Sequence, residues 1–198
     1  RLVKLDKEER VVDLNKPQLL KGFNEVTKGN GYYKARLSTA ASPKELMAGN
    51  YMLRSISKAK NTDHVIYTME SFEQYPDLHY ATLDFKKSIR LTHGIDQQKD
   101  YLWGTAELVS WISLDGRKLE GVVYKPADFD PAKKYTMIVS FYERNSETLF
   151  NYRMPEPHRS TIDYHLYNSN GYIVFNPDIR YVDGYPGESC YNLSLIHI

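Results

Sequence analysis

The sequence predicts a chain of mixed class, with β-sheet and one four-stranded propeller-type blade in its first half and α/β structure in its second. Three observations lead there. Tyrosine occurs 17 times in 198 residues, and aromatic enrichment suits the pleated, half-buried surface of a sheet. Two runs rich in β-branched and aromatic residues, His64 to Glu70 and Leu78 to Leu83, follow one another across a turn-like stretch. Further on, a near-continuous apolar run, a helical pattern and a second apolar run succeed one another, the order of a parallel strand pair joined by a right-handed helical crossover.

Residues 1 to about 60 are polar and broken by turn signals such as Gly29-Asn30-Gly31, and read as short strands and loops. Ser42-Pro43-Lys44-Glu45 offers an N-cap hydroxyl, a proline for the first helical position and a capping-box glutamate, so a short helix is expected there, stopped by Gly49-Asn50. Gln74-Tyr75-Pro76-Asp77 is the expected turn between the two strands. Ser88 to Thr92 is a further short strand closed by His93-Gly94, which makes one blade of ~40 residues. No clean internal repeat accompanies it.

The pattern changes near Trp103. Glu107 to Ser113 and Leu119 to Tyr124, joined through Asp115-Gly116, form a hairpin, because Asp-Gly supplies the positive φ that a two-residue turn needs. Lys125-Pro126 ends the second strand and Asp130-Pro131 marks a loop. Thr136 to Tyr142 reads as a strand covered on both faces. His158 to Asn168 fits a helix, with His158 and His165 on its surface and Asn170-Gly171 as its stop; Tyr172 to Asn176 is the next buried strand.

Composition excludes several functions. The 26 basic and 25 acidic residues nearly cancel, and without a basic stripe nucleic acid is not an expected partner. A single cysteine, Cys190, rules out an internal disulfide framework and a multi-cysteine metal site. The longest apolar stretches, Met137 to Tyr142 and Tyr172 to Phe175, fall far short of the ~20 residues of a membrane-spanning helix. The six histidines have neither the spacing nor the flanking carboxylate of a zinc site, so no metal and no cofactor are expected. The chain starts at Arg1, and nothing near it has the form of a secretory leader.

The stretch from Glu107 to Pro126, reading ELVSWISLDGRKLEGVVYKP, with Phe129-Asp130-Pro131 and Lys134-Tyr135 after it, resembles the start of the catalytic domain of prolyl oligopeptidase-family serine peptidases. Residues 60 to 94, with Pro76-Asp77-Leu78 and Leu91-Thr92, resemble that family's last propeller blade. Tyr164 to Asn176, Pro177-Asp178-Ile179-Arg180 and Gly184-Tyr185-Pro186-Gly187 resemble the helix, strand and Gly-rich loop that follow. The likeness covers roughly residues 60 to 190 and is greatest to bacterial members of the dipeptidyl-peptidase-like branch. It implies a partial β-propeller over residues 1–104, the N-terminal part of an α/β-hydrolase domain over 105–192, and a non-native tail at 193–198. The serine, aspartate and histidine of the family's triad would follow residue 198. The chain is therefore expected to be an inactive fragment of an enzyme whose partner is a peptide substrate, and the frequent export of bacterial relatives points outside the cytoplasm.

The resemblance aligns Tyr142 with the tyrosine whose hydroxyl helps form the oxyanion hole. A phenol aimed at a developing oxyanion contributes on the order of a few kcal/mol to the transition state; the alternative is a sheet-capping tyrosine bonded locally. Glu143-Arg144-Asn145 departs from the small, often Gly-containing turn of many relatives. Glu143 and Arg144 are expected either to touch substrate or to form an exposed loop ion pair. Asp178 and Arg180 match an Asp-x-Arg of the family, with Arg180 expected to pin the loop through a paired charge. Gly187-Glu188-Ser189-Cys190-Tyr191 comes within one residue of a Gly-x-Ser-x-Gly elbow, but Tyr191 replaces the closing glycine and no apolar strand leads in, so Ser189 is not read as a nucleophile. Neither is Cys190. Two other functions fit the same fold: an α/β-hydrolase esterase, which the propeller residues disfavour, and a catalytically inactive binding protein.

Overall fold

The structure, a computed structural model, describes residues 1–6, 8–94, 98–113, 116–156 and 162–194. It is mostly β-sheet with few helices, and divides into two compact units: Arg1–Gln97 with Phe150–Tyr152, and Gln98–Leu149 with Arg153–Ile198.

The first unit holds two antiparallel meanders. One has the order β1 (Pro17–Phe23), β2 (Asn30–Arg36), β3 (Lys44–Gly49). The other runs β4 (Met52–Lys58), β5 (His64–Ser71), β6 (Gln74–Thr82), β7 (Ser88–Arg90). Each strand of the second meander pairs with the next in sequence, as in a propeller blade. Neither sheet closes on itself. Alternate residues point inward, so Leu53, Val65, Tyr67 and Ala81 join Leu19 and Tyr32 in one core with Phe85. Tyr32 stacks on Phe85 at 4.9 Å and meets Tyr67 edge-on at 6.2 Å. Part of the tyrosine excess is thus core: burial, then the neighbouring Tyr67, pushes the Tyr32 phenol well above its ordinary range.

Three local expectations fail here. Lys44 to Gly49 is a strand, not a helix. A capping box contributes about 1 kcal/mol, too little to nucleate a turn and a half of helix against a ladder to β2 from Asn30↔Gly49 to Lys34↔Lys44. The reversal before β2 lies at Asn24 to Lys28, where the Asn24 side chain accepts from the Val26 and Thr27 N–H groups and Lys28 carries the positive φ of 64°. Gly29 is instead a close approach, for a Cβ there would sit 2.1 Å from the Gly49 carbonyl oxygen. Gln74 to Asp77 is not a turn but the start of β6, the reversal falling at Phe72-Glu73. Pro76 is tolerated because β7 pairs only with His79, Tyr80 and Ala81, and the β5 register shifts beside it.

The second unit is built on a four-stranded sheet of order β10-β11-β9-β8. β8 (Thr105–Ile112) and β9 (Lys118–Lys125) form the hairpin, in register from Thr105↔Lys125 to Ile112↔Lys118. Asp115 lies outside the described residues; Gly116 has a φ of 78°. β11 (Ile173–Pro177) is antiparallel to β9 and parallel to β10 (Met137–Val139). β11 is buried along its whole length. β10 corrects the expectation for Thr136 to Tyr142: only three residues are strand, at the sheet edge, and Val139 is 47% exposed. Helix α1 (Tyr164–Ser169) begins where the Asp163 carboxylate accepts from the His165 and Leu166 N–H groups, and Gly171, at φ 81°, follows its end. Helix α2 spans Pro186–Ser194, covering the first two residues of the expected tail; residues 195–198 and His158 lie outside the described residues.

Among the described residues, each unit has one buried histidine. In the first, His79 is 6% exposed and stacks on Tyr67 at 5.4 Å. In the second, His165 is 7% exposed, lies against Trp103 at 3.9 Å and hydrogen-bonds the Arg153 carbonyl at 2.7 Å, so it is not a surface residue. Burial lowers both imidazole pKa values, helped at His79 by Arg90 and opposed by Asp77. With the folded value depressed, the unfolded chain takes up protons first, so stability is complete above about pH 6.5 and is lost as the pH falls from there to the folded values. Each histidine should contribute a slope of up to about 1.4 kcal/mol per pH unit in that window. Urea unfolding at pH 7.5 and 5.5 measures this, and equal stability at the two pH values would refute it.

Candidate functional site

β10 and β11 are adjacent parallel strands, and the loops leaving their C-terminal ends, from Ser140 and from Asp178, are where an α/β sheet gathers functional groups. The first loop carries Tyr142, Glu143 and Arg144, then a 3-10 turn at Ser146–Thr148. The second carries Asp178, Arg180 and Tyr181 and leads into α2.

The two loops are sewn together by a run of hydrogen bonds. The Ser140 N–H donates to the Phe175 carbonyl at 2.9 Å, one step past the β ladder. The Ile179 N–H donates to the Glu143 carbonyl at 2.9 Å, and the Tyr181 hydroxyl to the Tyr142 carbonyl at 2.6 Å. Asp178 is the centre of the arrangement. Its carboxylate is buried and accepts from the Asn145 N–H at 2.5 Å, the Ser146 N–H at 2.7 Å and the Ser146 hydroxyl at 2.5 Å. Its own N–H donates to the Glu120 carbonyl of β9 at 2.8 Å. The carboxylate thus caps the 3-10 turn from another loop, doing for that turn's free N–H groups what a local N-cap would do.

The pinning of the loop therefore belongs to Asp178; Arg180 is exposed. Arg144 does form an exposed ion pair, at 2.8 Å, but with Glu147 three residues on. Behind the loops lies a buried polar layer. The Asn176 amide donates to the Tyr164 hydroxyl at 2.6 Å, and the Arg153 guanidinium lies 4.5 Å from the Tyr164 ring centre. Burial raises the Tyr164 pKa.

Tyr142 stands out from this frame. Its backbone is bonded to the second loop while the residue as a whole is 76% exposed, with Tyr181, Val182 and Tyr185 of the second loop also exposed. The phenol is an available donor at the C-terminal end of a parallel strand. Ser189 lies inside α2, its hydroxyl donating to the Tyr185 carbonyl at 2.8 Å and accepting from the Val182 N–H at 2.9 Å. Among the described residues no group of three or more histidines, cysteines and carboxylates is placed to hold a metal ion, and no helix is long and apolar enough to cross a membrane. The capping bonds of Asp178 and the Tyr181–Tyr142 bond are features of these loops that sequence reasoning missed. The Asp178-Ile179-Arg180 motif was visible, but the loop partners of Asp178, and of Tyr181 beside it, lie more than 30 residues away.

No family model matches the chain. No curated protein matches it either. Solved structures do. The chain is similar to dipeptidyl peptidase 4 of Porphyromonas gingivalis, with a TM-score of 0.62 at 18% identity over 85% of this chain and 24% of that one. It is similar to an acylaminoacyl peptidase of Pyrococcus horikoshii, with a TM-score of 0.56 at 17% identity over 87% of this chain and 25% of that one. A structure from a study of two prolyl endopeptidases matches with a TM-score of 0.52 at 16% identity over 88% of this chain and 24% of that one. These matches show a shared fold with part of such peptidases, and the chain spans about a quarter of the length of the solved chains it matches.

Proposed function

We propose that this chain is the propeller-to-hydrolase junction of a serine peptidase of the prolyl oligopeptidase family, in its dipeptidyl-peptidase-like branch, and that it supplies one catalytic residue, Tyr142. The observation that carries this reading is the placement of Tyr142: an exposed phenol at the C-terminal end of β10 on a backbone bonded to the next loop. In the complete reaction a serine hydroxyl attacks the peptide carbonyl, a histidine takes its proton and returns it to the leaving amine, and an aspartate orients the imidazole. Negative charge collects on the carbonyl oxygen, where the Tyr142 O–H and a backbone N–H donate to it. The reading assigns the serine, histidine and aspartate to residues outside these 198, and the hydrolase half to the sheet β8 to β11.

Two measurements decide it. The 198-residue chain, incubated with a fluorophosphonate probe, should remain unlabelled, and stoichiometric labelling would overturn the reading. The full-length protein containing this segment should be labelled and should cleave peptides. There, Tyr142→Phe should lower kcat by about 10²- to 10³-fold.

A further inference from the structure

We propose that Tyr181 is a positioning residue for Tyr142, acting through the backbone rather than on the substrate; this rests on the oxyanion reading of Tyr142. The Tyr181 hydroxyl donates to the Tyr142 carbonyl at 2.6 Å, the shortest way the second loop has of gripping the residue that bears the phenol. That bond sets the peptide plane on the C-terminal side of Tyr142. On the N-terminal side the Ser140 N–H is bonded to Phe175 of β11, and one residue further on the Glu143 carbonyl is bonded to the Ile179 N–H. With the chain held two residues before Tyr142, at its own carbonyl and at the next one, the directions open to its Cα–Cβ bond are narrowed. An exposed tyrosine ring would otherwise lose its donor geometry to loop motion, and an oxyanion donor contributes only while it points where the charge forms. Asp178 holds the 3-10 turn and would keep it folded without Tyr181, so the tyrosine's contribution is aim, not stability.

The test is a double-mutant cycle in the full-length enzyme. Tyr181→Phe deletes one hydroxyl from a part-exposed ring and should leave the melting temperature unchanged. It should lower kcat by about tenfold, the size expected of a misplaced rather than missing donor, with KM changed by less than about twofold. In a Tyr142→Phe background the same substitution should have no effect, because there is no donor left to aim. A loss of equal size in both backgrounds, or no loss in either, overturns the proposal. If Tyr142→Phe itself leaves kcat unchanged, the oxyanion reading fails. The positioning claim is then judged on the 198-residue chain labelled with 3-fluorotyrosine, its residue-142 signal identified by its loss in Tyr142→Phe. Tyr181→Phe should shift or broaden that signal, and an unaltered signal overturns the claim.

Discussion

Asp178→Ala is expected to destabilise the second unit by about 3 kcal/mol, whereas Asp178→Asn should cost only about 1 kcal/mol. The alanine leaves two backbone N–H groups, of Asn145 and Ser146, and the Ser146 hydroxyl without the acceptor they now share. Ser146 is fully buried, so water does not readily replace that acceptor. Each buried donor left unmade costs about 1–3 kcal/mol, and relaxation of the 140–149 loop recovers part of the sum. The asparagine keeps an oxygen for the two N–H groups, and its NH2 meets a serine hydroxyl that can rotate to accept. Both tryptophans, Trp103 and Trp111, fall in the second unit, so urea unfolding followed by tryptophan fluorescence reports the effect directly. An alanine variant within about 0.5 kcal/mol of the parent would show that the carboxylate is not what holds the loop.

Local pattern was legible in the sequence, and long-range partnership was not. Strands β5, β8, β9 and β11 were legible because period and composition act locally. Val65 and Tyr67 point one way and Ile66 the other, and the apolar Ile173-Val174-Phe175 run is buried on both faces. The start of α1 was misjudged because apolar spacing outvoted a capping aspartate, Asp163, that stands one residue before the true start. Lys44 to Gly49 shows the opposite error, a correct reading of local chemistry overruled by a sheet partner. β10 had the composition of a central strand and the position of an edge strand, and composition carries no information about neighbours.

The candidate site divides the same way. Tyr142 was reached by family resemblance alone, and the structure places it in an exposed loop. The Asp178 cap and the Tyr181 tether join residues 32 to 39 positions apart. A carboxylate that caps a turn from a distant loop leaves no mark on the turn's own sequence: Asn145 forms no side-chain cap bond of its own. Arg180 was credited with the pinning because a charged side chain beside a strand end invites an ion pair, yet buried N–H groups needed an acceptor, and only the carboxylate of the same motif could be one.

The largest stability effect is expected in the first unit, from Asp77→Ala. Asp77 is wholly buried in β6, where its carboxylate takes the Arg90 guanidinium, the Thr92 hydroxyl at 2.7 Å and the Gly94 N–H at 2.9 Å. Removing one partner of a buried ion pair costs about 3–5 kcal/mol, since the other charge stays buried without compensation. Arg90 is three-quarters buried and lies opposite His79 in the ladder, so the orphaned cation also opposes protonation of that imidazole. The pH dependence has a definite sign. Burial alone would raise the Asp77 pKa, but the bonds from Gly94, Thr92 and Arg90 outweigh it and hold the carboxyl below its ordinary range. A depressed carboxyl pKa contributes stability that is complete above about pH 4 and is lost as the pH falls through the folded value. The gap between parent and Asp77→Ala, measured by urea unfolding monitored by far-UV circular dichroism, should therefore narrow once the pH falls below about 4, whereas between about pH 6.5 and 5 the further-depressed His79 of the variant widens it. A gap below about 1 kcal/mol at pH 7, or one that fails to narrow below about pH 4, would mean that the pair is not what closes β7 onto β6.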